Sequence, residues 1–441
     1  MLEQIVTAEN LNRAYRRIKE NNGSGGVDGM TVGALLPWLA ANGARLWRSL
    51  VEGTYQPAPA RGAVIPKSNG GKRRIGIPTV VDRLIQRAVS QVLTPLYEPK
   101  FSDASYAYRP GRSPLHAVLK CREYLNEGYE WTVDMDLEKL FDTVNQKKLM
   151  GLLSRDIQDS RVLQLIEKYL HAGVIRRGRF EPTETGVGQG SALSPLLANV
   201  MLNELDRELE RRGQKFIRYA DDIALFCKSR DEAKAALDGF APYIENELLL
   251  KINRDKTTID QAGDMRFLGY GFCGENGGFR FRVHEQSVKR MKAKILELMM
   301  EMEDDDYTKL WQYIAGWVNY YYLADIGKLV EENRGWMSEA VQAMFLRAWE
   351  RRKDKAARAR AKPSVVRRVW RRVVSLFQPG AKANSATDLP FRPVRPRPPL
   401  RRIALPAAAL LAVSIFAGVN MKYLLAGMFL NGLIEQLRTS L

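Results

Sequence analysis

Phe216-Ile217-Arg218-Tyr219-Ala220-Asp221-Asp222-Ile223-Ala224-Leu225-Phe226 is the stretch on which the reading of this chain turns. An apolar-rich run leads into two adjacent aspartates and another leads out, which predicts two strands joined by a tight, acidic turn. Upstream, Thr132-Val133-Asp134-Met135-Asp136-Leu137 ends a second alternating run and offers further carboxylates. Adjacent aspartates between strands are commonly mere turn residues, because Asp tolerates turn geometry and caps its own backbone. Three carboxylates on neighbouring strand ends say more. They suit a two-metal phosphoryl-transfer site, where divalent ions roughly 3.5–4 Å apart clamp the attacking and departing oxygens. Magnesium prefers hard oxygen ligands, so no His or Cys is needed. Asp134 and Asp136 alternate on one strand and can share a face, yet only one is expected to be a ligand. The pattern predicts a template-copying polymerase.

The neighbouring motifs come in a definite order. Val27-Asp28-Gly29 lies in a Gly-rich opening segment. Ile65-Pro66-Lys67-Ser68-Asn69-Gly70-Gly71-Lys72-Arg73-Arg74-Ile75-Gly76-Ile77-Pro78 reads as a basic hairpin around a Gly-Gly turn. Tyr106-Ala107-Tyr108-Arg109-Pro110-Gly111-Arg112-Ser113 precedes a helical stretch. After Asp136 to Asp142 come Gly186-Val187-Gly188-Gln189-Gly190-Ser191 and Ser194-Pro195-Leu196-Leu197-Ala198-Asn199, then the aspartate hairpin. Asn253-Arg254-Asp255-Lys256-Thr257 and Phe267-Leu268-Gly269-Tyr270 close the series. Over roughly residues 10–325 this order resembles the reverse transcriptases of bacterial group II introns and their free-standing relatives.

The resemblance implies roles position by position. Asp136, Asp221 and Asp222 match the carboxylates that hold two magnesium ions, and Leu137 would lend its backbone carbonyl to one of them. Lys67 and Arg73 match fingers positions that grip the incoming triphosphate; lysines and arginines there offer charge-assisted bonds to phosphate oxygens, although a solvated basic turn has the same composition. Phe141 matches an aromatic under the sugar that leaves no room for a 2′-hydroxyl, with a core aromatic as the alternative, while Leu140 is expected in the core. Gln189 and Gly190 match a turn touching the nucleotide and the template–primer, where a side chain at 190 would collide with the nucleic acid backbone. Arg109, Tyr219 and Lys256 match further nucleic-acid contacts. The implied partners are an RNA template, a DNA or RNA primer, dNTPs and a structured intron or non-coding RNA. Three positions depart from the family pattern: Gln146 for a common histidine, Gly188 for proline, and Leu140 for a second phenylalanine.

Composition points the same way. The chain has 441 residues, enough for two to three domains, and 45% hydrophobic content is ample for a core. Its net charge of +18 implies an anionic partner, for which nucleic acid is the natural candidate. Residues 347–402 hold 18 Lys/Arg against three acids, a net of +15, so nearly all the excess sits in one segment. Cys121, Cys227 and Cys273 form no C-x-x-C pair, which predicts neither a zinc module nor a disulfide framework and fits a reducing cytoplasm. The N-terminus lacks the features of a secretory signal.

The expected fold class is α+β: a right-hand polymerase with fingers, palm and helical thumb, plus an apolar C-terminal segment of its own kind. Residues 1–60 read as an N-terminal helical extension and 61–285 as fingers and palm. Residues 286–378 read as a helical thumb with a basic end, in which Gly316-Trp317-Val318-Asn319-Tyr320-Tyr321 resembles the intron-binding thumb of maturases and the aromatics are core first. Residues 379–402 form a Pro/Arg-rich linker, and neither the DNA-binding nor the Cys/His nuclease pattern of longer intron proteins is visible. Residues 403–441 are apolar, with no charge from Ile403 to Met421. Two readings of 403–434 stand side by side: a membrane-spanning helix with its basic side inside the cell, or packing against protein.

The expected activity is RNA-directed DNA polymerisation, assisting intron splicing and mobility. Two alternatives are a free-standing reverse transcriptase in antiviral defence and a non-catalytic RNA-binding maturase. Intact carboxylates and fingers cations argue against the last, and Phe141 argues against RNA-templated RNA synthesis.

Overall fold

The computed structural model describes residues 1–66, 71–275, 277–301 and 307–361. Lys67 and the segments assigned above to 379–402 and 403–441 lie outside the described residues.

The basic hairpin pairs as β1 (Ala60–Pro66) and β2 (Lys72–Ile77), with Ile65 opposite Arg73 and Val64 opposite Arg74. After β3 (Trp131–Asp136), a short hairpin of β4 (Val174–Arg176) and β5 (Arg179–Glu181) joins β1 in parallel, giving a four-stranded sheet in the order β2-β1-β4-β5. The acidic hairpin forms as β6 (Lys215–Tyr219) and β7 (Asp222–Cys227). With β3 and β8 (Thr258–Gln261) it builds an antiparallel sheet ordered β6-β7-β3-β8. A third sheet holds β9 (Arg266–Phe267), β10 (Tyr270–Glu275) and β11 (Gly278–Val283).

Period-two patterning places the central sheet. Val133 and Met135 on β3, and Ile223 and Leu225 on β7, are buried in the main core, while Asp134 and Asp136 take the alternate positions. Helices Pro114–Asn126, Ser194–Arg211 and Arg230–Pro242 pack on this sheet. The core helix Val80–Tyr97 starts at Thr79, whose hydroxyl caps the first turn by accepting from the Asp82 N–H and also donates to the Asp82 carboxylate at 2.6 Å. Helices Ala8–Asn21 and Leu35–Val51 make the N-terminal segment helical, as its pattern predicts.

From Glu285 the chain is helical, and it divides into two compact units. Helix Glu285–Met300 belongs to the first, where the Ser287 hydroxyl donates to the Gly269 carbonyl at 3.1 Å. The second holds Trp311–Tyr322 and the helices Ile326–Glu332 and Glu339–Ala361. Its interior is aromatic: Trp317 lies 4.5 Å from Tyr321 and 5.7 Å from Phe345, ring centre to ring centre. Its cations lie over rings as well, Arg351 on Trp311 and Arg352 on Tyr322. Among the described residues no helix is long and apolar enough to cross a membrane.

Candidate active site

Strand register brings the carboxylates together. On β3 and β7, Asp136 stands directly opposite Asp222, and on β6 and β7, Tyr219 stands opposite the same Asp222. Directly paired antiparallel residues lie about 4.5–5.5 Å apart at Cα. Asp221 occupies the two-residue turn with Ala220, whose φ of +60° is a position glycine normally takes in such turns. A slip of one residue in β3 would send Asp136 to the core face. The buried pair Val133 and Met135 forbids that slip.

These acids border a cleft of about 1250 Å³ whose lining includes Asp136, Leu137, Phe141, Gln189, Asp221, Asp222 and Lys256, with Lys72, Arg73 and Arg74 of β2. Asp222 opens to solvent at its strand end, but the protein mass around it and the nearby Asp221 and Asp136 push its carboxyl up to about 6. Asp134, two residues before Asp136, is pushed up to about 7 by burial, by Asp222 and by Asp260. Crowded carboxylates of this kind gain most from a cation.

Asp136 is already held on three sides. Its amide donates to the Thr257 hydroxyl at 3.3 Å, its carbonyl accepts from Asn253 at 2.8 Å, and its carboxylate pairs with the Lys256 ammonium at 3.1 Å. The Asn253-to-Thr257 motif is thus a turn that docks on the first aspartate. Leu137 bridges to Ile252 through its neighbours' bonds, Glu138 N–H to the Lys251 carbonyl and Asn253 N–H to the Asp136 carbonyl. In such a pair the residue's own carbonyl points out of the bridge. Among the described residues no group of three or more His, Cys, Asp or Glu side chains stands ready-made as a metal cage. The donor set nevertheless fits a hard divalent cation: clustered carboxylates and a free-facing carbonyl, with Asp136 engaged by an exposed and easily exchanged lysine.

Phe141 is half-buried against the core and also faces the cleft, while Leu140 is core. Gln189 lines the cleft, and its carbonyl accepts from the Gly76 N–H at 2.7 Å, tying the 186–190 loop to β2. One expectation needs correction, and a glycine gains a second cause. Arg109 is not a surface contact: its guanidinium is buried and gives its donors to the Glu98 carboxylate and to the carbonyls of Glu98, Ser102 and Ser105. Tyr108, 56% exposed at φ +60°, is the neighbour that stands near Asp221 and Tyr219. At Gly190, a Cβ would lie 2.3 Å from the Gly76 carbonyl oxygen, so β2 itself excludes a side chain there at φ +112°.

The departures from the family pattern have local causes. Gly188 takes φ +67°, which proline's ring forbids. The Gln146 amide donates to the carbonyls of Leu170 at 3.2 Å and Gly186 at 3.0 Å, bracing the same loop from behind.

Sequence reasoning missed Arg218, although it stands in the deciding stretch. It is fully buried, paired with a fully buried Asp206. An arginine directly after the apolar pair Phe216-Ile217 and opposite apolar Ile223 was the available signal.

Residues 65–272 match the family "Reverse transcriptase (RNA-dependent DNA polymerase)", and residues 288–362 match "Group II intron, maturase-specific domain". Protein YkfC of Escherichia coli (strain K12) is 35% identical over 311 residues, covering 61% of this chain and 82% of YkfC. The group II intron-encoded protein LtrA of Lactococcus lactis subsp. cremoris is 30% identical over 326 residues, covering 59% of this chain but only 54% of LtrA. Among solved structures, a telomerase from Candida tropicalis aligns over 70% of this chain and 55% of its own, at 15% identity and a TM-score of 0.44. The reverse transcriptase family works with divalent metal ions. With a polymerase domain of that family followed by a maturase-specific domain, and with helices and strands mixed in its fold, the chain belongs to the group II intron-type reverse transcriptases, which are RNA-directed DNA polymerases.

Proposed function

We propose that this protein extends a DNA or RNA primer along an RNA template with deoxynucleotides, using two magnesium ions at Asp136, Asp221 and Asp222. Bound to a structured intron RNA, it assists that RNA's splicing and mobility. One observation carries the polymerase reading: Asp136 and Asp222 face each other in register, Asp221 sits in the adjoining turn, and the same cleft is lined by the cations of β2.

Bound divalent ions would activate the primer hydroxyl and neutralise the phosphates. The chain's own residues do the rest. Arg73, with Lys72 and Arg74 beside it, donates charge-assisted hydrogen bonds to triphosphate oxygens. The family resemblance adds Lys67 to this grip. The Leu137 carbonyl supplies a further oxygen donor next to Asp136. Lys256, on leaving the Asp136 carboxylate, remains in the cleft as a cation for phosphate. The Phe141 ring underlies the sugar and excludes a 2′-hydroxyl, and Gln189 contacts the nucleotide from the loop fastened to β2. Tyr219 and Gly190 line the path of the template–primer. A cytoplasmic setting fits the three free cysteines.

The test is primer extension by the purified full chain on an RNA template, with deoxynucleotides and magnesium. The expected result is RNA-dependent extension. Absence of extension with magnesium and with manganese would overturn the reading.

A further inference from the structure

We propose that the buried Arg218–Asp206 ion pair is a positioning element of the polymerase centre, one that holds the turn bearing Asp221 and Asp222 in its working shape. The proposal rests on reading that turn as the catalytic one.

Both side chains are 0% exposed, and their contact is bidentate: Nε to Oδ1 at 2.7 Å and Nη2 to Oδ2 at 2.6 Å. The remaining donors are also spent. Nη2 reaches the Ser105 hydroxyl at 2.8 Å, and Nη1 reaches Asn199 Oδ1 at 2.9 Å and the Ala220 carbonyl at 3.3 Å. Ala220 is the residue directly before Asp221, and its φ of +60° is costly for a residue with a side chain. Such a conformation persists only where its surroundings impose it. Asp221 and Asp222 also repel each other, which would splay an unheld turn.

The same guanidinium gathers two other elements. Asn199, on helix Ser194–Arg211, donates to the Ala107 carbonyl at 2.9 Å. The Arg218 amide donates to Ala104 at 2.9 Å, and the Arg218 carbonyl accepts from Tyr106 at 3.0 Å. Arg109, tied to Glu98, braces Ser105 through its carbonyl at 2.8 Å. The loop that brings Tyr108 near Asp221 and the turn that carries the aspartates therefore share one anchor.

Stability is a poor reason to keep this pair. Desolvating two charges roughly cancels their attraction, and apolar replacement of a buried pair is often neutral or stabilising, whereas removing one partner strands the other. What a bidentate fork with three further donors supplies is a single geometry.

That distinction sets the test. In Arg218→Met, Asp206→Leu the pair is replaced by apolar groups, so melting temperature should stay within a few degrees of wild type. The turn loses its anchor, so kcat for primer extension should fall by about 100-fold, the cost of a misplacement of about 1 Å. KM for the deoxynucleotide should hardly move, and Mn²⁺ affinity, read by titration without substrate, should fall. Recovered stability with wild-type kcat and Mn²⁺ affinity would overturn the proposal. If the double variant does not fold, Ser105→Ala and Asn199→Ala each remove one branch and leave the ion pair in place. Lower kcat at unchanged melting temperature supports the proposal, and wild-type kcat in both overturns it. Loss of extension in Asp222→Asn establishes the turn's catalytic role beforehand, so the two readings fail separately.

Discussion

Asp134 and Asp136 differ by one turn of the pleat, and the structure separates their circumstances. Asp136 has a lysine at its carboxylate, whereas Asp134 is crowded by Asp222 and Asp260 and its carboxyl rises to about 7. In the unfolded chain an aspartate ionises near pH 4. Between about pH 4 and 7 the folded protein therefore holds a proton that the unfolded chain has lost, and stability falls as pH rises through that window. Asp134→Asn should remove much of this slope. Its melting temperature, compared with wild type in metal-free buffer, should gain more at pH 8 than at pH 5; a pH-independent difference would contradict the assignment. Phe141 makes a separate prediction. Its ring is half in the core and half in the cleft, so Phe141→Ala should cost some stability and relax sugar choice. Discrimination against ribonucleotides, measured as a ratio of kcat/KM values, should drop by at least about tenfold. Unchanged discrimination would leave Phe141 as core only.

At the scale of elements, the 186–190 loop shows what sequence patterns convey and what they leave out. Alternation and turn residues foretold the acidic hairpin, the basic hairpin and the helices, because each is decided by neighbours within a few positions. The meeting of Asp136 with Asp222 is long-range and was legible only through the order of motifs that carries the family resemblance; burial of Val133 and Met135 then leaves the register one choice. Other long-range partners were not legible. Gly190 needs to be glycine because of Gly76, and Arg109 is spent on Glu98 and loop carbonyls that no local pattern announces. Arg218 finds Asp206 only once helix Ser194–Arg211 lies against β6. Gly190→Ala tests the loop's attachment. A side chain at φ +112° so close to β2 should destabilise by about 1–3 kcal/mol. Chemical denaturation would show it, and a neutral outcome would mean that β2 and the loop part easily.

Across the whole molecule, charge is distributed for nucleic acid. The net +15 of residues 347–402 begins in helix Glu339–Ala361, where Arg351, Arg352 and Lys353 lie over Trp311, Tyr322 and Trp349. Cations so engaged are partly structural, which directs attention to the arginines beyond them in sequence. Replacing Arg367, Arg368, Arg371 and Arg372 by Gln should lower the slope of log affinity against log salt for RNA by up to about 3, at about 0.7 per lost phosphate contact. An unchanged slope would place the RNA elsewhere.

The convergence of Asp136, Asp221 and Asp222 is the claim on which the rest depends, and the double variant Asp221→Ala, Asp222→Ala tests it most directly. Primer extension on an RNA template should be abolished while RNA binding, measured on the same preparation, is retained. Extension equal to that of the wild-type protein would contradict the account.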